Sequence, residues 1–209
     1  MRKLFLMLLG ASLFVIFLSG CDKDSTAVTE RPGYIAFSKS MRELWSDHAL
    51  WTRNVIINIL DGTPGTNEAV TRLLQNQKDI GNAIRPYYGD AGADGLTDLL
   101  TTHITIAADL LTAAKSGDAE SYNTAHTAWY ANGDEIATFL NTANPDHFPL
   151  DAWKSMMKTH LDLTLNEATA RLTQDYAGDV AAYDQVYAEL MMMADMLSEG
   201  IAKQFPDKF

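Results

Sequence analysis

Three histidines occupy equivalent positions in an internal repeat, and this repeat limits the possible folds more than any other feature of the sequence. Each copy has two apolar residues, two variable residues and then the histidine, and successive histidines are 55 and 57 residues apart. A small residue follows four positions later in each copy. The histidines are His48, His103 and His160, and the small residues are Thr52, Ala107 and Thr164. Because self-similarity at a nearly fixed period indicates a repeated structural unit, we predict three copies of one supersecondary element.

The apolar residues around the histidines recur every three or four positions, which is typical of amphipathic helices. No comparable stretch alternates with period two, so no strand is predicted. Breaks containing Gly, Pro or Asp divide the chain into six helices, and they lie at 61–65, 85–86, 116–118, 144–145 and 178–179. The sequence therefore predicts an all-α bundle of about six helices, built as three αα-hairpins. The hairpins are expected to pack around one core, because each alone leaves an apolar face open.

The second helices of the three hairpins also align on their apolar residues, at 73–84, 129–140 and 190–201. This alignment makes Gln77, Gly133 and Ala194 equivalent. Asp134 and Asp195 take matching places at the border of the apolar face and are candidate partners for the histidines, although Lys78 fills that place in the first hairpin.

The first 21 residues are typical of a bacterial lipoprotein signal. A basic start is followed by about fifteen apolar residues, fewer than the ~20 that a membrane-spanning helix needs. The sequence Leu-Ser-Gly-Cys at 18–21 resembles the lipobox, whose cysteine becomes lipidated and acylated when the signal is removed. We predict cleavage of residues 1–20 and lipidation of Cys21, with a plain secretory signal and a chance cysteine as the alternative.

Lipidation of Cys21 would hold the protein at the outer face of the cell membrane, since two or more acyl chains give stable anchoring. Asp22 resembles the inner-membrane retention signal of enteric bacteria, so in a cell with two membranes we expect the inner membrane, facing the periplasm. Residues 22–33 are polar, lack periodicity and end in Pro-Gly, which is typical of a flexible tether. The predicted organisation is a signal at 1–20, a lipidated cysteine and tether at 21–33, and one helical domain at 34–209.

The charge of the chain argues against nucleic acid as a partner. The formal net charge is −11, and loss of Arg2 and Lys3 with the signal leaves 27 acidic residues against 14 basic ones. Nucleic-acid binding requires clustered Lys and Arg that displace counterions from phosphates. The expected partners are the membrane, through the lipid anchor, and an envelope protein or a small ligand.

The repeated histidines fall near the centre of each apolar stripe, so their side chains are predicted to face inward. A buried neutral imidazole needs both a donor and an acceptor satisfied, which a polar partner or a metal provides. Three alternatives stay open: ordinary core packing, a polar network without metal, and a copper, zinc or haem site. The chain has no His-Glu-x-x-His, Glu-x-x-His or Cys-x-x-Cys motif, so no established metal or covalent haem signature supports the third.

Glu167 lies two helical turns after His160 on the same predicted stripe, and the sequence favours an ion pair with Arg171 at the following turn. A buried carboxylate requires a cation or several hydrogen-bond donors. His126 and His147 lie outside the repeated register and are interpreted as incidental.

Three segments carry a resemblance to known sequences: Leu-Trp-x-x-His…Trp-Thr-Arg-Asn at 44–54, Asp-Ile-Gly-Asn-Ala-Ile…Pro-Tyr-Tyr-Gly at 79–89, and Phe-Pro-Asp-Lys-Phe at 205–209. The mature chain in this respect resembles a family of small, uncharacterised, all-helical bacterial proteins, some of which are labelled glycosyltransferases. That label implies α/β domains with an acidic metal-binding motif after a strand, and the present sequence predicts no strands.

The sequence is consistent with three functions. The first is a non-catalytic, membrane-anchored helical domain that binds a ligand or an envelope protein. The second is a lipoprotein that handles copper, zinc or haem through its inward histidines. The third is an enzyme whose site combines His48, His103, His160 and Glu167.

Overall fold

A computed structural model describes residues 27–209, so the predicted signal and Cys21 lie outside the described residues. Within 27–209 the chain forms no strand, which confirms the all-α prediction. The helices are α1 (Pro32–Asp61), α2 (Thr66–Ser116), α3 (Ala119–Ala143), α4 (Leu150–Leu172) and α5 (Tyr176–Gln204), with short 3-10 helices at Val28–Glu30 and Pro206–Lys208. No helix in this part of the chain combines the length and apolar character needed to cross a bilayer.

The described residues form five helices, but α2 is divided in two at Gly89, so they make six helical segments, in agreement with the prediction of about six. The expected break at 85–86 does not occur, because Pro86 is accommodated inside α2. The helical conformation is instead interrupted at Gly89. Its φ of 70° and ψ of −173° lie in a backbone region that residues other than glycine rarely adopt. We refer to residues 66–88 as the first arm of α2 and to residues 90–116 as its second arm.

The two arms of α2 fold back on each other as a hairpin. A Cβ atom added to Gly81 would lie 2.8 Å from the carbonyl oxygen of Ala93. In a straight helix these residues would be about 18 Å apart along the axis. The first arm therefore belongs to the hairpin with α1, the second arm to the hairpin with α3, and α4 pairs with α5 as the third hairpin.

The helices close into a ring in which each one contacts its neighbour in sequence and α5 contacts α1. A large apolar core with residues from all five helices fills one end, and it includes Trp45, Leu100 and Met157. A smaller core at the other end includes Val55, Ile104 and Ala168. The repeated histidines lie between these two cores.

The two ends of the described chain meet at the end of the bundle that holds the larger core. Arg31 donates a hydrogen bond of 2.8 Å to the carbonyl oxygen of Pro206. The ring of Phe209 stacks on Tyr87 at 5.2 Å and packs against Phe37 at 5.3 Å, measured between ring centroids. These contacts join the first and third hairpins.

The turn at Gly89 predicts a stability difference between two glycine substitutions. Gly89→Ala should lower the free energy of unfolding by about 2 kcal/mol, because a side chain is strained at this backbone conformation. Gly117→Ala is the matched control: its φ of 71° and ψ of 19° are left-handed helical, where the cost is about 1 kcal/mol. Urea denaturation followed by circular dichroism measures both. A Gly89→Ala variant as stable as the wild type would contradict the reversal of chain direction at Gly89.

Candidate functional site

The three repeated histidines meet in the middle of the bundle, in a layer that we call the histidine layer. His48 is on α1, His103 on the second arm of α2 and His160 on α4. Their relative exposures are 3%, 3% and 4%. The ring centroid of His160 lies 6.1 Å from that of His48 and 6.3 Å from that of His103. The first helix of each hairpin thus contributes one imidazole to the histidine layer.

Each histidine is held by a residue 29 positions later, on the second helix of its own hairpin. Nδ1 of His48 lies 3.3 Å from Nε2 of Gln77, Nδ1 of His103 lies 2.7 Å from Oδ1 of Asn132, and Nδ1 of His160 lies 3.0 Å from Oε2 of Glu189. All three partners are buried. The equivalent positions of the second helices are therefore Gln77, Asn132 and Glu189, and the expected equivalence of Gln77 with Gly133 and Ala194 was wrong.

Asp134 and Asp195, the partners expected for the histidines, lie at the surface instead. Asp134 pairs with Lys154 at 3.3 Å, and Asp195 pairs with Arg42. The physical reason is helical geometry: Asp134 follows Asn132 by two positions, which turns it about 200° away from the histidine layer. The constant spacing of 29 residues to a polar side chain was the sequence signal that identifies the true partners.

The hydrogen bonds of two partner side chains indicate where Nδ1 of the histidine donates. Nδ2 of Asn132 donates to the carbonyl oxygen of Leu99 at 3.3 Å, which leaves Oδ1 facing His103 as an acceptor. Glu189 likewise presents a carboxylate oxygen to His160. The Nδ1 atoms of His103 and His160 therefore carry a proton and donate it to these hydrogen bonds, and Nε2 of the neutral His103 ring carries a lone pair.

His48 has two polar partners, Gln77 and Asn76. Nε2 of Gln77 donates to the carbonyl oxygen of Leu73 at 2.8 Å, so the amide nitrogen is the atom that faces His48. Reversing the Gln77 amide would place its oxygen against that carbonyl. The same amide nitrogen donates to Oδ1 of Asn76 at 3.3 Å, and the side chain of Asn76 is a further hydrogen-bond partner of His48. These contacts are compatible with a proton on either ring nitrogen of His48.

Burial keeps two of these rings uncharged. The pKa values of His48 and His103 are lowered to about 3, chiefly because burial disfavours the charged form and secondly because the other histidines would repel it. Both rings are neutral near pH 7.

Small cavities lie on both sides of the histidine layer. One of about 30 Å³ is lined by the three histidines, by residues of the smaller core such as Val55 and Ile104, and by Thr52 and Thr164. Ala107 also lines it, so the small residues of the repeat create this space. The other cavity, of about 20 Å³, lies toward the larger core beside Trp45, Leu100 and Met157. The first has room for about two water molecules and the second for about one.

A larger pocket of about 300 Å³ opens at the end of the bundle beyond the smaller core. Its rim includes the exposed turn between α2 and α3, at Gly117 and Asp118. The walls of this outer pocket and of the 30 Å³ cavity share four apolar residues: Leu110, Leu111, Leu165 and Ala168. These side chains separate the histidine layer from the bundle end.

Glu167 is buried as expected, with 1% exposure, but its cation is Arg53 rather than Arg171. Nη1 of Arg53 lies 2.8 Å from Glu167 and also 2.8 Å from the buried Asp179. Arg171 pairs with Asp61 and, at 3.3 Å, with Asp179. Sequence reasoning missed Arg53 and Asp179 because these partners come from different helices.

The environment of Glu167 raises its pKa to about 7, because burial outweighs the stabilising charge of Arg53. The effect of Glu167 on the pH dependence of stability is therefore opposite to the effect of His48 and His103. A raised carboxyl pKa contributes stability that is complete below pH 4.5 and is lost as the pH rises through 7.

Among the described residues, no group of three or more His, Cys, Asp or Glu side chains is placed to hold a metal ion. Three imidazoles on one zinc ion would lie within about 5 Å of each other, given Zn–N bonds of about 2.0 to 2.1 Å. The separations of 6.1 and 6.3 Å between the ring centroids exceed this by about 1 Å. His126 and His147 lie apart from the layer: His126 stacks on Tyr130 at 4.6 Å, and His147 is exposed in the loop after α3.

Comparison with known proteins assigns neither a family nor a function. No protein-family model matches the chain, and no curated protein and no solved structure matches it significantly. Functional inference therefore depends on the geometry of the histidine layer.

The lowered pKa values predict acid sensitivity of the fold. Between pH 6.5 and 3 the unfolded chain binds more protons at His48 and His103 than the folded chain, so the contribution of these two histidines to stability is complete above pH 6.5 and is lost on acidification. His103→Gln should reduce the slope of the free energy of unfolding against pH, by an amount that corresponds to up to one proton. Urea denaturation at several pH values between 6.5 and 3 measures this slope. The exposed His147→Gln is the matched control. A His103→Gln variant that keeps the wild-type dependence would contradict the neutral, buried state of His103.

Proposed function

We propose that this protein is a lipid-anchored, extracytoplasmic binding protein whose helical bundle takes up a small ligand at the histidine layer. The proposal has two parts, an anchor at Cys21 and a non-catalytic binding site in the bundle. The resemblance to small all-helical bacterial proteins is consistent with this proposal, but it does not suggest a particular activity.

The observation that carries the binding site is the histidine layer with its second ring of partners. Burying an imidazole costs free energy, whereas burying the apolar side chains of the neighbouring layers does not. Each Nδ1 is turned outward to a partner, and Nε2 of His103 is buried without a hydrogen-bond partner among residues 27–209. Three polar side chains that are oriented in this way, beside a cavity, are arranged to recognise a polar group.

Binding is favoured over catalysis by the size of the space. The imidazoles are at least 96% buried, and the cavity of about 30 Å³ beside them accepts one small polar group rather than two reactants. Glu167 is engaged by Arg53 and is not free to act as a general acid or base at the layer.

A metal-handling role with copper, zinc or haem is the second candidate, and one observation favours it. Glu189 accepts a hydrogen bond from Nδ1 of His160, and metal-binding histidines commonly have such a carboxylate partner. One feature opposes it: the ring separations of 6.1 and 6.3 Å exceed those expected for imidazoles on one zinc ion.

The anchor is tested by replacing the predicted lipid-bearing residue. Cys21→Ala in the full-length protein should leave the precursor uncleaved by the lipoprotein signal peptidase and remove lipid labelling. Ser25→Ala, in the tether, is the matched control. Labelling with a fatty-acid analogue and electrophoretic mobility measure the outcome. Unchanged labelling and mobility in Cys21→Ala would show that the lipobox interpretation is wrong.

The binding site is tested by following the imidazole nitrogens directly. We expect ¹⁵N NMR of the protein, expressed from the full-length coding sequence, to show ligand-induced shifts at His48, His103 and His160 during a screen of small organic fragments, Zn²⁺ and Cu⁺. His126 and His147 are internal controls that should not move. A screen in which no compound or ion shifts the layer would contradict the proposed function, and shifts with metal ions alone would favour the second candidate.

A further inference from the structure

We infer that the outer pocket at the end of the bundle is a second binding site, which takes a small hydrophobic cation such as an amine with an aromatic body. This site is separate from the histidine layer, so the inference goes beyond the proposed function and does not depend on it. It follows from the volume of the pocket, from its apolar walls and from the charges around its rim.

The outer pocket is large enough for a small organic molecule. Its volume of about 300 Å³ lies at the lower end of the range for small-molecule sites. Its walls come from α1, α2, α3 and α4 and are mostly apolar, including Leu60, Leu111, Leu165 and Leu172. Leu172 is 41% exposed. The apolar body of a ligand would remove part of this surface from water, which favours binding.

In the described part of the chain, the side chains that line the outer pocket include one carboxylate and no basic group. The carboxylate is that of Asp118, which caps α3: Oδ1 accepts from the backbone nitrogen of Ser121 at 3.1 Å, and Oδ2 accepts from its hydroxyl at 2.8 Å. These hydrogen bonds lower the pKa of Asp118, so the carboxylate is charged near pH 7. Each oxygen can accept a further hydrogen bond. An ammonium group at the rim would therefore meet a negative charge that is held in place.

The basic side chains at this end of the bundle already have partners. Nζ of Lys115 donates to the carbonyl oxygen of Ile59 at 2.7 Å, and Arg171 pairs with Asp61. Neither side chain lines the outer pocket. The rim therefore offers an anionic ligand no cation of its own.

The helix ends around the outer pocket also favour a positive charge. Three helices end there, since Leu60 of α1, Leu172 of α4 and Gly117 after α2 all line it, and the C-terminus of a helix carries a partial negative charge. The N-terminus of α3 lies there as well, but Asp118 caps it. The ring of Tyr122 lines the same pocket, and the face of an aromatic ring attracts cations.

The head group is tested with three probes that share a phenethyl body: protonated phenethylamine, uncharged phenethyl alcohol and anionic hydrocinnamate. NMR titration of the wild-type protein at pH 7 should show shifts of the backbone amides of Gly117 and Tyr122. The amine should bind about fivefold more tightly than the alcohol, which is the gain expected from a well-placed exposed ion pair. Hydrocinnamate should bind most weakly. Equal affinities of amine and alcohol, tighter binding of hydrocinnamate, or no binding of any probe would overturn the inference.

The role of the carboxylate is tested with Asp118→Asn. Asparagine caps a helix as well as aspartate does, so α3 should keep its N-terminus while the charge is removed. The affinity for phenethylamine should fall to that for phenethyl alcohol, and the affinity for the alcohol should not change. Glu120→Gln is the matched control, because Glu120 lies in the same turn of α3 but does not line the pocket. Unchanged amine affinity in Asp118→Asn, or an equal loss in Glu120→Gln, would overturn the inference.

The location of the site is tested by filling the pocket. Ala114→Leu adds volume to its wall and should weaken the binding of both the amine and the alcohol. Ala91→Leu, at an exposed position of the same helix, is the matched control and should leave both affinities unchanged. Wild-type affinities in a folded Ala114→Leu variant would overturn the assignment to this pocket. The comparison of head groups on the wild-type protein decides the ligand class even if Ala114→Leu does not fold.

The same titrations separate this site from the histidine layer. The imidazole ¹⁵N resonances of His48, His103 and His160 should stay in place with all three probes, because apolar side chains lie between the layer and the outer pocket. Shifts at the imidazoles without shifts at Gly117 and Tyr122 would support the proposed function and overturn this inference.

Discussion

The hydrogen-bonding requirement of three imidazoles inside an apolar bundle is the constraint on which the other features depend. Each ring needs a partner from the second helix of its hairpin, and Gln77, Asn132 and Glu189 meet that need at one spacing. A shift of one residue along a helix would turn the partner about 100° away and leave buried polar atoms unpaired. The apolar cores on either side supply most of the stability, whereas the histidine layer determines the register of the helices.

Much of this architecture follows from residue spacing. The repeated apolar pair before each histidine predicts the first helix of each hairpin. The breaks at 61–65 and 144–145 correctly separate helices. Alignment of the second helices failed because apolar residues every three or four positions match in several registers. The correct register is marked by polar residues of three different types, which pattern matching on apolar positions overlooks. The turn at Gly89 was hidden by Pro86, a stronger local signal that the helix nevertheless accommodates.

The three hairpins share a plan but differ in chemistry. Val55, Leu110 and Glu167 each lie seven residues after a repeated histidine, so a carboxylate in the third hairpin takes a place that is apolar in the other two. Arg53 crosses from α1 to neutralise it and also binds Asp179 of α5. Removing one member of such a buried set leaves an uncompensated charge, which typically costs 3–5 kcal/mol. These contacts cross three helices, which explains why sequence order alone did not reveal them.

The meeting of the chain ends has a consequence for connectivity. Gly33 and Phe209 approach so closely that a Cβ atom on Gly33 would lie 3.0 Å from the backbone of Phe209. With its ends adjacent and its hairpins arranged in a closed ring, the domain is suited to circular permutation, since a short linker can join the ends. New termini in the exposed loop at 145–147 would begin the chain with the third hairpin and keep every helix intact. The order of the three hairpins along the chain is therefore separable from the ring that they form.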